Sequence, residues 1–429
     1  MSVKLFKHQT EALELTKDKN RVAYYYDMGL GKTYIGSEKA VSLGNYTLVV
    51  CQKSKVKDWI DHFETHYGKQ LAVDDLTKNK VELNGFINGY QTRGLCPRVG
   101  IINYDLVWRR PELTSLSNYT LLLDESSLIQ NPASKRSKFI LKKLNPSNVI
   151  LLSGTPVNGK YEQIWSQCHL LGWEISKKMF YAQYVIEEPI RKWNGEAMTS
   201  PNGFVIKQIV GYKNVDRLKR KLREYGAVFM KTEEVFDLPS QTFIDVNVPV
   251  TKEYNKFMKD KIITINDETL IGDMSLTKRL YRRMLCGHLN KNKLDAFEDL
   301  VESTNDRLIV FYNFTKELYA LEDIAIKLDR PVSIVNGSEK DLKCYEEYDN
   351  SITLIQYQAG AMGLNLQKAN KIIYFTPTDR CELFEQSKKR IHRIGTTKPC
   401  FYYLLKSGVD DEIYEALNQG KDYTDYLFK

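Results

Sequence analysis

The run Val22-Ala23-Tyr24-Tyr25-Tyr26-Asp27-Met28-Gly29-Leu30-Gly31-Lys32-Thr33 decides how this chain is read. An apolar, aromatic strand enters a turn with two glycines, and helix-compatible sequence follows. In that context glycines let backbone N–H groups close around anionic oxygens, and the start of the helix adds its positive end. Met28, Gly29, Leu30 and Gly31 would form the cradle. Lys32 would reach the β and γ phosphates of a nucleotide, and the Thr33 hydroxyl would ligate Mg²⁺. The competing reading is a glycine turn that only connects strand to helix. The order G-x-G-K-T at a strand–helix junction favours the phosphate loop, although Tyr26 stands where the commonest pattern has its first glycine.

Outward from this run, short β-branched or aromatic stretches alternate with longer amphipathic ones, the pattern of parallel α/β architecture. Strands are expected at 22–26, 47–51, 99–102, 120–123 and 149–152, then at 307–311, 332–335, 352–355, 371–375 and 401–405. Each group of five suits one parallel sheet. The fold class is therefore α/β, with two tandem parallel-sheet lobes and a helical bridge or insertion between them. The expected lobes are 1–238, with a helical insertion at about 170–230, and 239–429, with a helical bridge at about 250–300.

Leu121-Leu122-Leu123-Asp124-Glu125 is an apolar strand running into two acids. Parallel strands deliver reactive residues at their carboxyl ends, beside a phosphate loop. Asp124 suits the Mg²⁺ side, through a metal-bound water. Glu125 is placed to orient the attacking water of a hydrolysis. Two adjacent acids can equally be a solvated turn, and it is the pairing with the loop that decides. Ser153-Gly154-Thr155-Pro156 follows the next strand, where small hydroxyl residues can sense a carboxylate or phosphate, or simply turn the chain.

In the second half, Gln386-Ser387-Lys388-Lys389-Arg390-Ile391-His392-Arg393-Ile394-Gly395 puts Arg390 and Arg393 three apart. On a helix those positions share a face, so both guanidiniums would meet one target, the γ-phosphate as its charge shifts. A solvated basic helix is the ordinary alternative. Upstream, Ala359–Leu366 (AGAMGLNL) reads as a strand–turn segment suited to a cleft.

Composition bounds the rest. Lys and Arg number 62 against 54 Asp and Glu, a formal charge of +8 that permits a polyanionic partner. The hydrophobic fraction of 42% is that of a globular domain, and no 20-residue apolar span exists. Seven cysteines lie far apart with no C-x-x-C pair, which favours reduced thiols over disulfides or a zinc module. His62 and His66, at i and i+4, lack a third ligand and fit an amphipathic helix better than a metal. The 27 tyrosines fall mostly in strands and amphipathic helices, so packing is expected of them before base stacking.

The ordered motifs together resemble those of the Swi/Snf-type translocases of helicase superfamily two. Leu5-Phe6-Lys7-His8-Gln9 resembles the adenine-reading glutamine motif, and DMGLGKT (27–33) the first motif. LVVCQKSKVKDWIDHF (48–63), DESSLIQNPASKRSK (124–138), SGTPVNGKYEQIWS (153–166), VFYNFTKEL (310–318), AGAMGLNL and QSKKRIHRIG complete the series. The resemblance implies two RecA-like lobes closing on ATP and Mg²⁺, and movement along double-stranded DNA. Single-stranded DNA or RNA, strand separation, and an ATP-gated clamp with weak hydrolysis stay open as alternatives. It further implies nucleotide contact by Gln9 and Gly363. Ser153, Gly154, Thr155, Gly360, Asn365 and Gln386 would couple hydrolysis to movement, and Lys53, Trp59, Asn158 and Asn313 would contact nucleic acid.

Four departures stand out. Ser126-Ser127 replaces Ala-His, Gln356-Tyr357-Gln358 replaces a segment with Ser/Thr and a basic residue, Phe229–Thr232 lacks an arginine pair, and Thr376–Asp379 lacks a tryptophan. No chromatin-reading, zinc-binding or nuclease module fits the remaining sequence. A compact phage- or prophage-like monomer in bacterial cytoplasm is therefore expected, with no membrane association.

Overall fold

The computed structural model describes residues 4–420 except 45, 69, 92–96, 155, 158–159, 193–194, 266–267, 361–363 and 394. The chain divides into two compact units, Met1–Val235 and Phe236–Lys429. In the first unit the strands are β1 (Arg21–Tyr26), β2 (Thr47–Cys51), β3 (Ala72–Asp75), β4 (Arg98–Asn103), β5 (Thr120–Asp124), β6 (Asn148–Ser153), β7 (Val185–Pro189), β8 (Lys207–Tyr212) and β9 (Ala227–Met230). Seven of these form one sheet in the order β3-β4-β2-β5-β6-β1-β9, and every recorded pairing in it is parallel. The central strands β2 and β6 are buried at every position, the mark of a parallel sheet covered on both faces.

Parallel pairing sets the site. Tyr25 is in register with Ser153, and Leu152 with Asp124, so β1, β6 and β5 end side by side. The helix α2 (Lys32–Ser42) returns from the end of β1 across the sheet. It packs closely there: a Cβ on Gly36 would sit 2.8 Å from Leu152 Cδ1. Tyrosines serve the core as expected, with Tyr24, Tyr26, Tyr119 and Tyr184 among the largest fully buried side chains.

The stretch 170–230, expected as a helical insertion, is mixed. Helices Lys177–Tyr184 and Val215–Glu224 flank the antiparallel β7–β8 hairpin, and β9 then joins the main sheet beside β1. The bridges Arg191–Ala197 and Thr199–Val205 extend antiparallel pairing beyond that hairpin, so β pairing prevails there.

In the second unit the strands are β10 (Gln241–Asn247), β11 (Ile262–Ile265), β12 (Glu268–Ile271), β13 (Leu308–Tyr312), β14 (Val332–Val335), β15 (Ile352–Gln356), β16 (Lys371–Tyr374) and β17 (Cys400–Lys406). Six make a parallel sheet in the order β10-β17-β16-β13-β15-β14, with apolar cores on both faces. The region 250–300 holds helices Lys252–Asp260, Ser275–Cys286 and Lys291–Glu302, with the small β11–β12 hairpin among them. Among the described residues no helix is long and apolar enough to cross a membrane.

Candidate active site

The phosphate loop has the backbone its sequence requires. Gly29 and Gly31 adopt φ of 88° and 71°, left-handed values that favour glycine, and Gly31 caps α2. Lys32 Nζ donates to the carbonyls of Tyr26 (2.9 Å) and Asp27 (3.3 Å), which folds the ammonium back over the loop. Thr33 follows, half-buried, in the first turn of α2. Asp27 ties the loop to the edge strand: its Oδ2 accepts from Thr232 N at 3.2 Å, just beyond β9.

Gln9 reaches the loop from helix α1 (Lys7–Leu15). Its Oε1 accepts from Phe6 N (2.8 Å), while its Nε2 donates to the carbonyls of Leu30 (3.1 Å) and Gly31 (3.3 Å). Gly31 is needed here for a second reason, since a Cβ on it would stand 2.2 Å from Gln9 Nε2. The Gln9 side chain is thus joined directly to the backbone of the glycine loop.

At the end of β5, Asp124 Oδ2 accepts the Trp59 indole N–H at 2.9 Å. Burial pushes the Asp124 carboxyl above its usual pKa, opposed by the indole hydrogen bond and by the Lys32 charge. Trp59, expected to meet nucleic acid, is 2% exposed, on the buried Val56–Trp59–Phe63–Tyr67 face of helix α3 (Val56–Tyr67). Helical spacing turns that face into the core, and the indole N–H finds the carboxylate there. Lys53 is exposed just after β2, at the same carboxyl edge of the sheet.

Glu125 takes a left-handed conformation, φ 52° and ψ 60°, which costs a non-glycine residue about 1–2 kcal/mol. Strain of this kind persists only where neighbours fix it. Tyr104 Oη donates to the Asp124 carbonyl (2.9 Å), and Ser153 Oγ donates to Glu125 Oε2 (3.3 Å). A Cβ on Gly154 would lie 3.4 Å from Lys32 Nζ, so Ser153 and Gly154 touch both halves of the site. Thr155 and Asn158 lie outside the described residues. Sequence reasoning missed Tyr104, Thr232 and Gln167, which come from distant segments and carry no local motif.

In the second unit the arginine pair is not on one helix face. The helix Cys381–Lys388 ends before it, and Arg390 N donates to Ser387 O (3.1 Å) in the turn that follows. Arg390 is buried. Arg393 is half-buried, its pKa lowered by burial, and its Nη1 donates to Asn365 Oδ1 at 2.5 Å. The turn is fixed by Leu366 N to Arg390 O (3.3 Å) and Thr396 Oγ1 to Ile391 O (2.5 Å). Backbone capture by Leu366 and Thr396 therefore displaces the helix that i, i+3 spacing predicts.

The segment expected as strand and turn before Leu364 instead opens with a helical turn, Tyr357–Gly360, directly after β15. Gly363 lies outside the described residues. Gln386 Nε2 donates to Glu382 Oε1 (3.2 Å). The Asn313 Nδ2 donors go to Thr376 Oγ1 (2.8 Å), Pro377 O (3.0 Å) and Thr376 O (3.3 Å). They clip the end of β13 to the loop after β16.

Together, a glycine loop opening a helix, an adjacent carboxylate pair and a serine bonded to Glu125 have the arrangement of a P-loop nucleotide site on a parallel sheet. The SNF2-related domain model matches residues 12–294, and the helicase conserved C-terminal domain model matches residues 292–395. The first match covers well over half of the chain, which therefore belongs to the SNF2-related family.

Similar proteins include the mouse SWI/SNF-related matrix-associated actin-dependent regulator of chromatin subfamily A member 1, 23% identical over 91% of this chain and 40% of that protein. The mouse DNA repair and recombination protein RAD54-like is 24% identical over 87% of this chain and 57% of its own length. The putative ATP-dependent helicase/translocase YwqA of Bacillus subtilis is 22% identical over 92% and 45%. The chain thus spans between about two fifths and three fifths of the length of these relatives. A solved structure, the Sulfolobus solfataricus SWI2/SNF2 ATPase core in complex with dsDNA, is similar over 98% of this chain and 92% of that one, at 19% identity and a TM-score of 0.44.

Proposed function

We propose that this chain is an ATP-dependent double-stranded DNA translocase or remodeller. The carrying observation is the meeting of Lys32, Asp124, Glu125 and Ser153 at the ends of three neighbouring parallel strands. Relatives whose names specify DNA helicase, translocase or DNA repair activity support the DNA reading. The +8 formal charge is compatible with it.

The donor set fits a magnesium nucleotide, with a lysine for phosphate oxygens, a hydroxyl at the helix start and a carboxylate beside it. Thr33 and Asp124 would hold the Mg²⁺, the latter through water, and the ion would neutralise charge on the β and γ phosphates. Lys32 leaves the Tyr26 and Asp27 carbonyls to bind those oxygens. Gln9 reads the adenine edge and reports to the loop through the Leu30 and Gly31 carbonyls. Glu125 orients the attacking water and accepts its proton. From its motif, Arg393 would supply a positive donor in the transition state, whereas Arg390 is buried. Ser153, linked to Glu125, carries the change of charge to the segment after β6.

ATPase rates with duplex DNA, single-stranded DNA, RNA or none test the partner, and displacement of a third strand from a DNA triplex tests movement. Stimulation by RNA alone would defeat the proposal.

A further inference from the structure

Gln167 lies in the short helix Trp165–Leu170 and is 0% exposed. Its Oε1 accepts from Ser126 Oγ (2.7 Å) and Tyr25 Oη (3.0 Å), and its Nε2 donates to Pro156 O (3.1 Å). The Pro156 carbonyl can only accept, so the amide nitrogen must face it and the amide oxygen must face the two hydroxyls. One buried carboxamide therefore joins three segments of the site: the end of β1, the turn after the carboxylate pair, and the turn after β6. All three partners belong to the first unit.

Ser126 is the residue after Glu125 and is itself fully buried. Holding Ser126 sets the peptide that follows Glu125 and so sustains its left-handed backbone. Pro156 stands two residues after Gly154, which faces Lys32 Nζ. Ser153 reaches Glu125 through its side chain, and Gln167 reaches the same residue through the backbone.

We infer that Gln167 is a positioning residue for Glu125, and that the Ser126–Gln167–Pro156 bridge couples the water-orienting carboxylate to the segment after β6. The inference deepens the proposed ATPase reading and rests on it for its kinetic consequences. Its geometric content stands alone.

The test uses the full chain with Gln167→Leu, Ser126→Ala and the double variant. Duplex-stimulated ATPase, ATP affinity and melting temperature are measured together with hydrogen exchange of peptides over 124–130 and 153–157. In Gln167→Leu, kcat should fall about tenfold while ATP affinity stays within about twofold of wild type. The double variant should be no slower than Gln167→Leu alone, because both changes cut one link. Exchange should quicken in both peptides. Independent, multiplying losses in the double variant, or an unchanged kcat in Gln167→Leu, would overturn the inference. If Gln167→Leu proves unstable, Ser126→Ala alone decides: slower turnover and faster exchange over 124–130 uphold the bridge, and wild-type behaviour in both refutes it. If the wild-type chain hydrolyses no ATP, the functional reading fails and exchange still decides the bridge. Unchanged exchange in both peptides would then refute it.

Discussion

The Trp59 indole N–H donates to Asp124 Oδ2 across 2.9 Å, joining the helix after β2 to the carboxylate at the end of β5. Asp124 is pushed up by burial, and this donor is the leading influence holding it down. Trp59→Phe keeps most of the packing and removes the hydrogen bond. A hydrogen bond to a charged group contributes about 1.5–3 kcal/mol. Magnesium-nucleotide affinity should therefore fall by about tenfold or more in Trp59→Phe, with a modest loss of melting temperature. Titration with a fluorescent ATP analogue checks this, and unchanged affinity would remove Trp59 from the site.

Arg393 and Asn365 are paired at 2.5 Å, and the pairing orients the guanidinium. Arg393→Ala should leave ATP binding nearly intact and remove most turnover. Asn365→Ala should lower kcat less, by about tenfold, since the cation remains but is no longer aimed. Steady-state kinetics separate the two, and full activity in Arg393→Ala would refute its assignment.

Lys293 and Asp410 form an ion pair buried at 0% and 1% exposure, 2.5 Å apart, with Ser407 N also donating to Asp410 at 3.1 Å. Removing one partner strands a charge in the core. Lys293→Met should cost about 3–5 kcal/mol, and Lys293→Met combined with Asp410→Leu should cost less than the two changes summed. Urea unfolding measures both.

His62 is hydrogen-bonded to Ser37 Oγ (2.9 Å), and burial with the neighbouring His66 pushes its pKa down to about 4. Its ordinary value is about 6.5. Between those values the unfolded chain binds a proton that the folded chain refuses. The His62 contribution is therefore complete above about pH 6.5 and is lost as pH falls toward about 4. Melting temperature should decline from pH 6.5 to 5, before most carboxylates titrate, and His62→Gln should flatten part of that slope. Identical slopes would contradict the assignment.

The central strands were legible because burial on both faces writes them as unbroken apolar runs. All ten expected strands are present, with each boundary displaced by one residue at most, as at both ends of β4 and β6. Of the edges of the two large sheets, only β14 was legible. β10, Gln-Thr-Phe-Ile-Asp-Val-Asn, is largely exposed, and β3 is Ala-Val-Asp-Asp, so neither announces itself by hydropathy. In the site, Lys32, Asp124 and Glu125 were readable because their chemistry is local to a loop or a strand end. Gln167 was not, because a buried amide in an amphipathic helix reads as a solvent-facing one until its three partners are in place. The arginine turn failed for a similar reason: backbone capture by Leu366 and Thr396, from outside the motif, ends the helix early.

The central claim is that Glu125, held in a left-handed backbone and tied to Ser153, drives DNA-stimulated ATP hydrolysis. Its most direct test is the ATPase rate of wild type and Glu125→Gln, each with and without duplex DNA, beside ATP affinity. Wild type should be stimulated by duplex DNA. Glu125→Gln should bind ATP as well as wild type and lose turnover by about a thousandfold. Wild-type turnover in Glu125→Gln, or none in either protein under any condition, would contradict the account.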